Sequence, residues 1–293
     1  MAAGQVTLAL PMNLPRRTFL KSSLAVSASA ALGSSSSAAQ PPAVSQREYY
    51  ELRCYHLSAG RRFGRDADST LLDRYLEQAM LPALERRRIS PVGVFTELEV
   101  DKKAGTSKPM PGSPVWVLIP HASLDSYVQV AATLNEDRAV QQAGSAYLEA
   151  PKSAPAFQRF DSWLLLAFRS LPKIELPEFA RNRTPTRVYE MRDYESHSEL
   201  KALNKMAMFD DGETQLMRDL GMAPVFFGQA LSGPDLPHLR YMTSGPDLQT
   251  HLANWGKFGP DPRWQKMSKL PEYADNTSRN TARFLTPKPY SQL

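Results

Sequence analysis

Glutamate, arginine and tyrosine recur at alternate positions twice in this chain. They are Glu51, Arg53 and Tyr55 in Tyr50-Glu51-Leu52-Arg53-Cys54-Tyr55, and Glu190, Arg192 and Tyr194 in Tyr189-Glu190-Met191-Arg192-Asp193-Tyr194. Alternation places each trio on one face of a strand. Arginine there can hold an anion, and a carboxylate or phenol beside it can serve as acid or base. The same groups can instead satisfy one another as structural ion pairs, because a buried charge without a partner is very costly. The other face carries Leu52 and Met191. A face packed under helices should be the more apolar one, which predicts Leu52 and Met191 beneath helices and the Glu-Arg-Tyr trios toward a sheet-to-sheet interior or toward the sheet's exposed side. Trp255 and Trp264, with Phe258, either line a pocket or pack helices. The candidate pocket-lining set is therefore Glu51, Arg53, Tyr55, Glu190, Arg192, Tyr194, Trp255 and Trp264.

No catalytic residue is assigned. The sequence has no glycine-rich phosphate loop, nucleophile elbow or Cys-His pairing. Its five histidines, His56, His121, His197, His238 and His251, form no metal motif. A metal reading would need His56, at the end of one strand, to meet His121, just after another, with a carboxylate nearby. The expectation is no metal and no cofactor. Asp210-Asp211-Gly212-Glu213 lacks the pattern of a calcium loop and marks a break in a helix. Cys54, the single cysteine, falls in an apolar strand and reads as a buried, inert thiol.

The elements that would carry these residues follow the same order in both halves. After the repeated phrase comes a long helix, 70–88 and 199–220. In the second, Leu200, Leu203, Met206 and Ala207 recur at helical spacing, and Gly221 stands at the C-terminal cap. Strand two is 92–98 and 225–231; a polar loop, long (101–114) or short (232–238), leads to strand three, 115–119 and 239–243. Ser123 and Asp247 are matched helix N-caps. Leu124, Val128 and Ala131 match Leu248, Leu252 and Trp255 on one helical face. Asp137 and Asp261 open a further helix, Asp261 ahead of Pro262. A last strand closes each half, 162–168 and, more weakly, 282–286. The pattern is strand–helix–strand–strand–helix–strand, twice, the split ferredoxin-like arrangement. Its sheet has one bare face; duplication lets two sheets in one chain cover each other, or each half can pair with another chain.

The N-terminus reads as an export signal. Arg16-Arg17-Thr18-Phe19-Leu20-Lys21 precedes a short Ala/Ser-rich apolar run and a small-residue end at Ala38-Ala39. This is the twin-arginine pattern, with Met1 and Met12 both available as starts. The run is too short and too serine-rich to span a bilayer. Removing residues 1–39 takes away three basic residues and no acid, which lowers the formal charge from +5 to +2. A near-neutral remainder offers no electrostatic case for nucleic acid.

The repeated phrase, the matched element orders and the cluster Trp255-Gly256-Lys257-Phe258-Gly259-Pro260-Asp261-Pro262-Arg263-Trp264 resemble the NIPSNAP family, itself similar to the dimeric α+β barrel proteins. The resemblance spans nearly all of the mature chain as two tandem copies. It implies an α+β fold of two tandem ferredoxin-like (βαββαβ) domains forming an intrachain barrel-like arrangement. The boundaries are a signal at 1–39, domains at 46–170 and 184–290, and a proline-rich linker at 171–183. The first half has Ala131 and Val140 where the second has Trp255 and Trp264, which suits a mainly structural first half. The family implies no settled reaction. The expectation is an exported periplasmic or extracellular module that binds a small molecule or a partner, with homo-oligomers left open. The alternative is a cofactor-independent enzyme acting on a small organic molecule inside the barrel.

Overall fold

Alternating residues of nine strands build one antiparallel sheet in the computed structural model, which describes residues 44–57 and 69–293. The strands are β1 (Tyr49–His56), β2 (Gly93–Asp101), β3 (Thr106–Pro109), β4 (Val115–His121), β5 (Arg159–Ala167), β6 (Val188–Glu195), β7 (Pro224–Ser232), β8 (His238–Gly245) and β9 (Arg279–Pro287). Eight of them run in the order β2-β4-β1-β5-β7-β8-β6-β9, and β9 pairs back onto β2 to close a barrel. Closure leaves no open edge on those strands. The ninth, β3, lies within the predicted polar loop 101–114 and extends the far end of β2 as a hairpin. Within the barrel, β2-β4-β1-β5 and β7-β8-β6-β9 have the same order when each set is numbered along the chain. The predicted signal, 1–39, lies outside the described residues.

Closure decides which face is inside, and it reverses the expectation for the repeated phrase. Tyr50, Leu52 and Cys54 of β1 and Tyr189 and Met191 of β6 point into the barrel. There they meet Phe95, Leu118, Trp163, Leu165, Phe226, Met242 and Leu285. All eight barrel strands feed this cluster and no helix does. Glu51, Arg53 and Tyr55, and Glu190, Arg192 and Tyr194, face outward beneath the helices. The physical reason is that a closed interior has no route for water along most of its length, so it takes the apolar set. The helix-covered face can hold charges because the covering elements bring histidines and aromatic rings to meet them.

The helices pack outside in two groups. Leu72, Leu76, Met80 and Leu84 cover Val94, Val115, Val117 and Ile119. Ala202, Met206, Phe209, Leu216 and Met217 cover Phe227, Leu239 and Tyr241. Ser123, Asp137, Asp247 and Asp261 all cap helices through their side chains. The predicted apolar helix faces hold in part: Met206 and Leu248 are buried and Leu252 and Trp255 pack against core clusters, but four of the other positions turn outward. Leu200 and Leu203 are 75% and 49% exposed, and Leu124 and Val128 are 45% and 52% exposed. The true buried line in helix Glu199–Met208 includes Lys205, whose stem is buried and whose charge finds a partner, so counting apolar residues misplaced the face. Residues 171–183 are not a free tether: Leu171 is buried, and Ile174 and Leu176 pack against the barrel core.

Candidate functional site

Each Glu-Arg-Tyr trio is held as a network beneath helices. In the second, Glu190 Oε1 accepts from Arg192 Nε at 3.0 Å, and Oε2 meets His251 Nε2 at 2.8 Å. Arg192 stacks 3.8 Å over the Trp255 ring and donates to the Tyr194 hydroxyl at 3.4 Å, which meets the Tyr241 hydroxyl at 2.8 Å. Burial alone would raise the Glu190 pKa; the His251 hydrogen bond and the Arg192 charge overcome it and hold it below the usual value. In the first trio, Arg53 grips Glu51 with two nitrogens at 2.6 and 3.0 Å, and His121 Nε2 lies 3.7 Å from Glu51 Oε2. His121 and His251 thus serve equivalent carboxylates from different elements, a strand end and a helix. His56 and His121 do not meet: His121 pairs with Tyr49 and His56 lies at the opposite end of the same strand. Among the described residues, no cluster of His, Cys, Asp or Glu could hold a metal ion.

Aromatic rings cover the first trio; a concavity of about 540 Å³ lies beyond them against Tyr147 and Phe157, and none of Glu51, Arg53 and Tyr55 borders it. Tyr55 packs edge-on to Phe157, and Tyr75 stacks on Tyr147 with centroids 4.0 Å apart. Beside the second, Arg192, Tyr194, Trp255 and Trp264 border a cavity of about 400 Å³ together with Lys205 and Glu213.

A further concavity of about 360 Å³ opens at one mouth of the barrel. Its floor is Asp193, two positions beyond Met191 on the interior face of β6. Asp193 accepts from Arg240 Nε, from Arg283 Nη1 at 2.7 Å and from Thr281 at 3.1 Å. Burial favours the neutral acid, but the two guanidinium charges prevail and keep the Asp193 carboxyl below its usual range. The walls are Trp116 and Trp163, stacked with centroids 5.8 Å apart. Arg240 lies 4.1 Å over Trp163, and Arg283 5.0 Å over Trp116. The indole of Trp116 donates to Glu97 at 2.8 Å and that of Trp163 to the Pro234 carbonyl at 3.1 Å, so both rings are fixed. Gly233 makes room for Trp163: a Cβ there would fall 2.5 Å from the indole.

Two polar atoms of residues bordering this mouth have no hydrogen-bond partner among the described residues: Arg240 Nη1 and His238 Nε2. Arg240 has only 3% of its side chain exposed. His238 is 1% exposed, and its Nδ1 donates to the Asp235 carbonyl at 3.0 Å, which leaves Nε2 as a lone pair. Burial and the Arg240 charge push the His238 pKa down, so the ring is neutral at pH 7. A buried unpaired donor is rare and is usually met by water or a ligand. Sequence reasoning missed this mouth. Asp193 was in view within the repeated phrase, but the face assignment set it aside, and Arg240, Arg283, Trp116 and Trp163 gave no signal beyond strand periodicity.

The architecture is an α+β fold with a closed eight-stranded antiparallel barrel. Residues 189–292 match the NIPSNAP family and constitute a NIPSNAP-family domain. Residues 13–33 match the TAT (twin-arginine translocation) pathway signal sequence, which assigns export to the periplasm or beyond. No curated protein matches the chain. Among solved structures, a NIPSNAP-like domain protein from Burkholderia xenovorans is 16% identical over 36% of this chain and 90% of its own, with a TM-score of 0.34. A candidate monooxygenase from Lactobacillus acidophilus NCFM is 8% identical over 82% of this chain and 94% of its own, at 0.48. A chlorite dismutase variant from Candidatus Nitrospira defluvii is 9% identical over 84% and 92%, at 0.42. No helix among the described residues is long and apolar enough to cross a membrane.

Proposed function

We propose that this is an exported small-molecule-binding protein whose ligand sits in the barrel mouth. On this reading the barrel is made by two ferredoxin-like units, 46–170 and 184–290, joined through 171–183 within one chain. The repeated phrase and the matching strand orders support that division. The observation that carries the binding site is the Arg240 guanidinium: buried, held by Asp193, stacked on Trp163, and with Nη1 unpaired beside a cavity. A ligand with a hydrogen-bond acceptor for Nη1 and a planar or apolar body for the two indoles fits these groups.

One observation favours the enzyme reading instead. His238 stands two residues from Arg240 on the same strand face and carries a free lone pair at neutral pH. Such a pair can take a proton from an acidic O–H or C–H while the guanidinium holds the oxygen that gains charge. Ligand-induced quenching of Trp116 and Trp163 fluorescence tests binding. Arg240→Lys keeps a cation for Asp193 but removes Nη1, and is expected to weaken binding by about tenfold or more. Equal affinity in the variant would contradict the assignment. Solvent deuterium exchange into a bound carbon acid, lost in His238→Gln with binding retained, would separate the enzyme from the module.

A further inference from the structure

The helical stretches that follow β1 and β6 each contain a five-residue π turn, Leu76–Met80 and Phe209–Glu213. Counted from these turns, Leu72 stands where Lys205 does, and Met80 where Glu213 does. Leu72 and Met80 are 0% exposed in an apolar core. Lys205 and Glu213 are equally buried but form an ion pair, Nζ to Oε2 at 2.9 Å. A buried ion pair is often no better for stability than apolar residues of similar volume. The chain itself contains that apolar alternative, so stability does not account for Lys205 and Glu213. The tryptophans diverge in the same sense, Trp255 and Trp264 against Ala131 and Val140. Where the first half covers its trio with the Tyr75–Tyr147 stack, the second leaves Arg192 and Tyr194 bordering the cavity of about 400 Å³.

We propose that this helix-side cavity is a second binding site, distinct from the barrel mouth, for a small organic carboxylate. Two cations, Arg192 and Lys205, border it against one carboxylate, Glu213, while Glu190 is covered behind Arg192. The Lys205 ammonium has three donors. One goes to Glu213, and another points at the Met208 sulfur 3.3 Å away. Arg192 has five N–H donors, of which Glu190 and Tyr194 occupy only part. The remaining donors can make charge-assisted bonds to a carboxylate. Trp255, Phe258 and Trp264 supply an apolar wall for its hydrocarbon body, and exposed Ser268 and Asn280 line the opening.

The test uses the mature chain with benzoate, phenylacetate and hexanoate, each titrated against its amide by calorimetry. At least one carboxylate is expected to bind roughly tenfold more tightly than its amide. The double variant Lys205→Leu/Glu213→Met installs the first half's residues. It is expected to hold its melting temperature within about 2 °C or raise it, and to lose that preference. Asn280→Asp, at the exposed rim, leaves the core intact and is expected to weaken carboxylate binding by about threefold through like-charge repulsion. Failure of all three carboxylates to outbind their amides overturns the proposal, as does wild-type affinity in the double variant and in Asn280→Asp.

Discussion

Replacing Glu51 by glutamine probes the structural role of the first Glu-Arg-Tyr trio. Glu51 has 4% of its side chain exposed, and Arg53 contacts it at 2.6 Å. Burial alone would raise its pKa. The nearby His121 ring, with its Nε2 3.7 Å away, and the charge and hydrogen bonds of Arg53 reverse that and bring it from 4.5 to about 2. Such a depression corresponds to about 3 kcal/mol of folding stability at neutral pH. An independent figure agrees: removing one partner of a buried pair costs about 3–5 kcal/mol. For a chain of this size, Glu51→Gln should therefore lower the melting temperature by roughly 6–12 °C. The pH dependence has a fixed sign. The folded pKa is the lower one, so the stabilisation is fully present above 4.5 and disappears as pH falls through about 2. By about pH 3 less than half should remain. Calorimetry of both proteins from pH 7 to pH 2.5 measures the gap directly. A gap below about 2 °C at pH 7, or one that stays constant down to pH 2.5, would refute the reasoning.

Cys54, its pKa pushed to about 12 by burial and then by the Glu97 and Asp161 charges, should be inert to a disulfide reagent at pH 8 until the protein is unfolded. Gly212 sits at φ 153, and a Cβ there would meet Met267 at 2.8 Å, so Gly212→Ala should cost about 1–2 kcal/mol in urea unfolding. Gly256, in a helix with nothing near its Cβ position, should gain about 0.5–1 kcal/mol as alanine. Leu200→Lys should be neutral within about 0.5 kcal/mol, whereas Met206→Ala on the buried face should cost about 2 kcal/mol or more.

Local chemistry was legible in the sequence and closure was not. Strand periodicity, Asp and Ser caps and the Gly212 break are short-range signals, and each located its element. The choice between the Glu51-Arg53-Tyr55 face and the Leu52-Cys54 face is not short-range, because both alternate equally well. It depends on β9 returning to β2, a pairing between distant segments. Lys205 was hidden for a related reason: a lysine reads as solvent-facing until Glu213, brought round by the π turn, is seen to meet it. The histidine partners escaped alignment because His121 and His251 reach matching carboxylates from unlike elements. Arg240 and Arg283 converge on Asp193 only across neighbouring strands, so no single segment announced the mouth.

Native mass spectrometry of protein recovered from its exported compartment puts the barrel-mouth account at most direct risk. Wild type should carry, or take up from a compound library, a small molecule at the mouth, and Arg240→Lys, still folded, should lose that molecule whether or not the helix-side cavity is filled. A variant that holds the same molecule as tightly as wild type, or a wild type that takes up none, would contradict it.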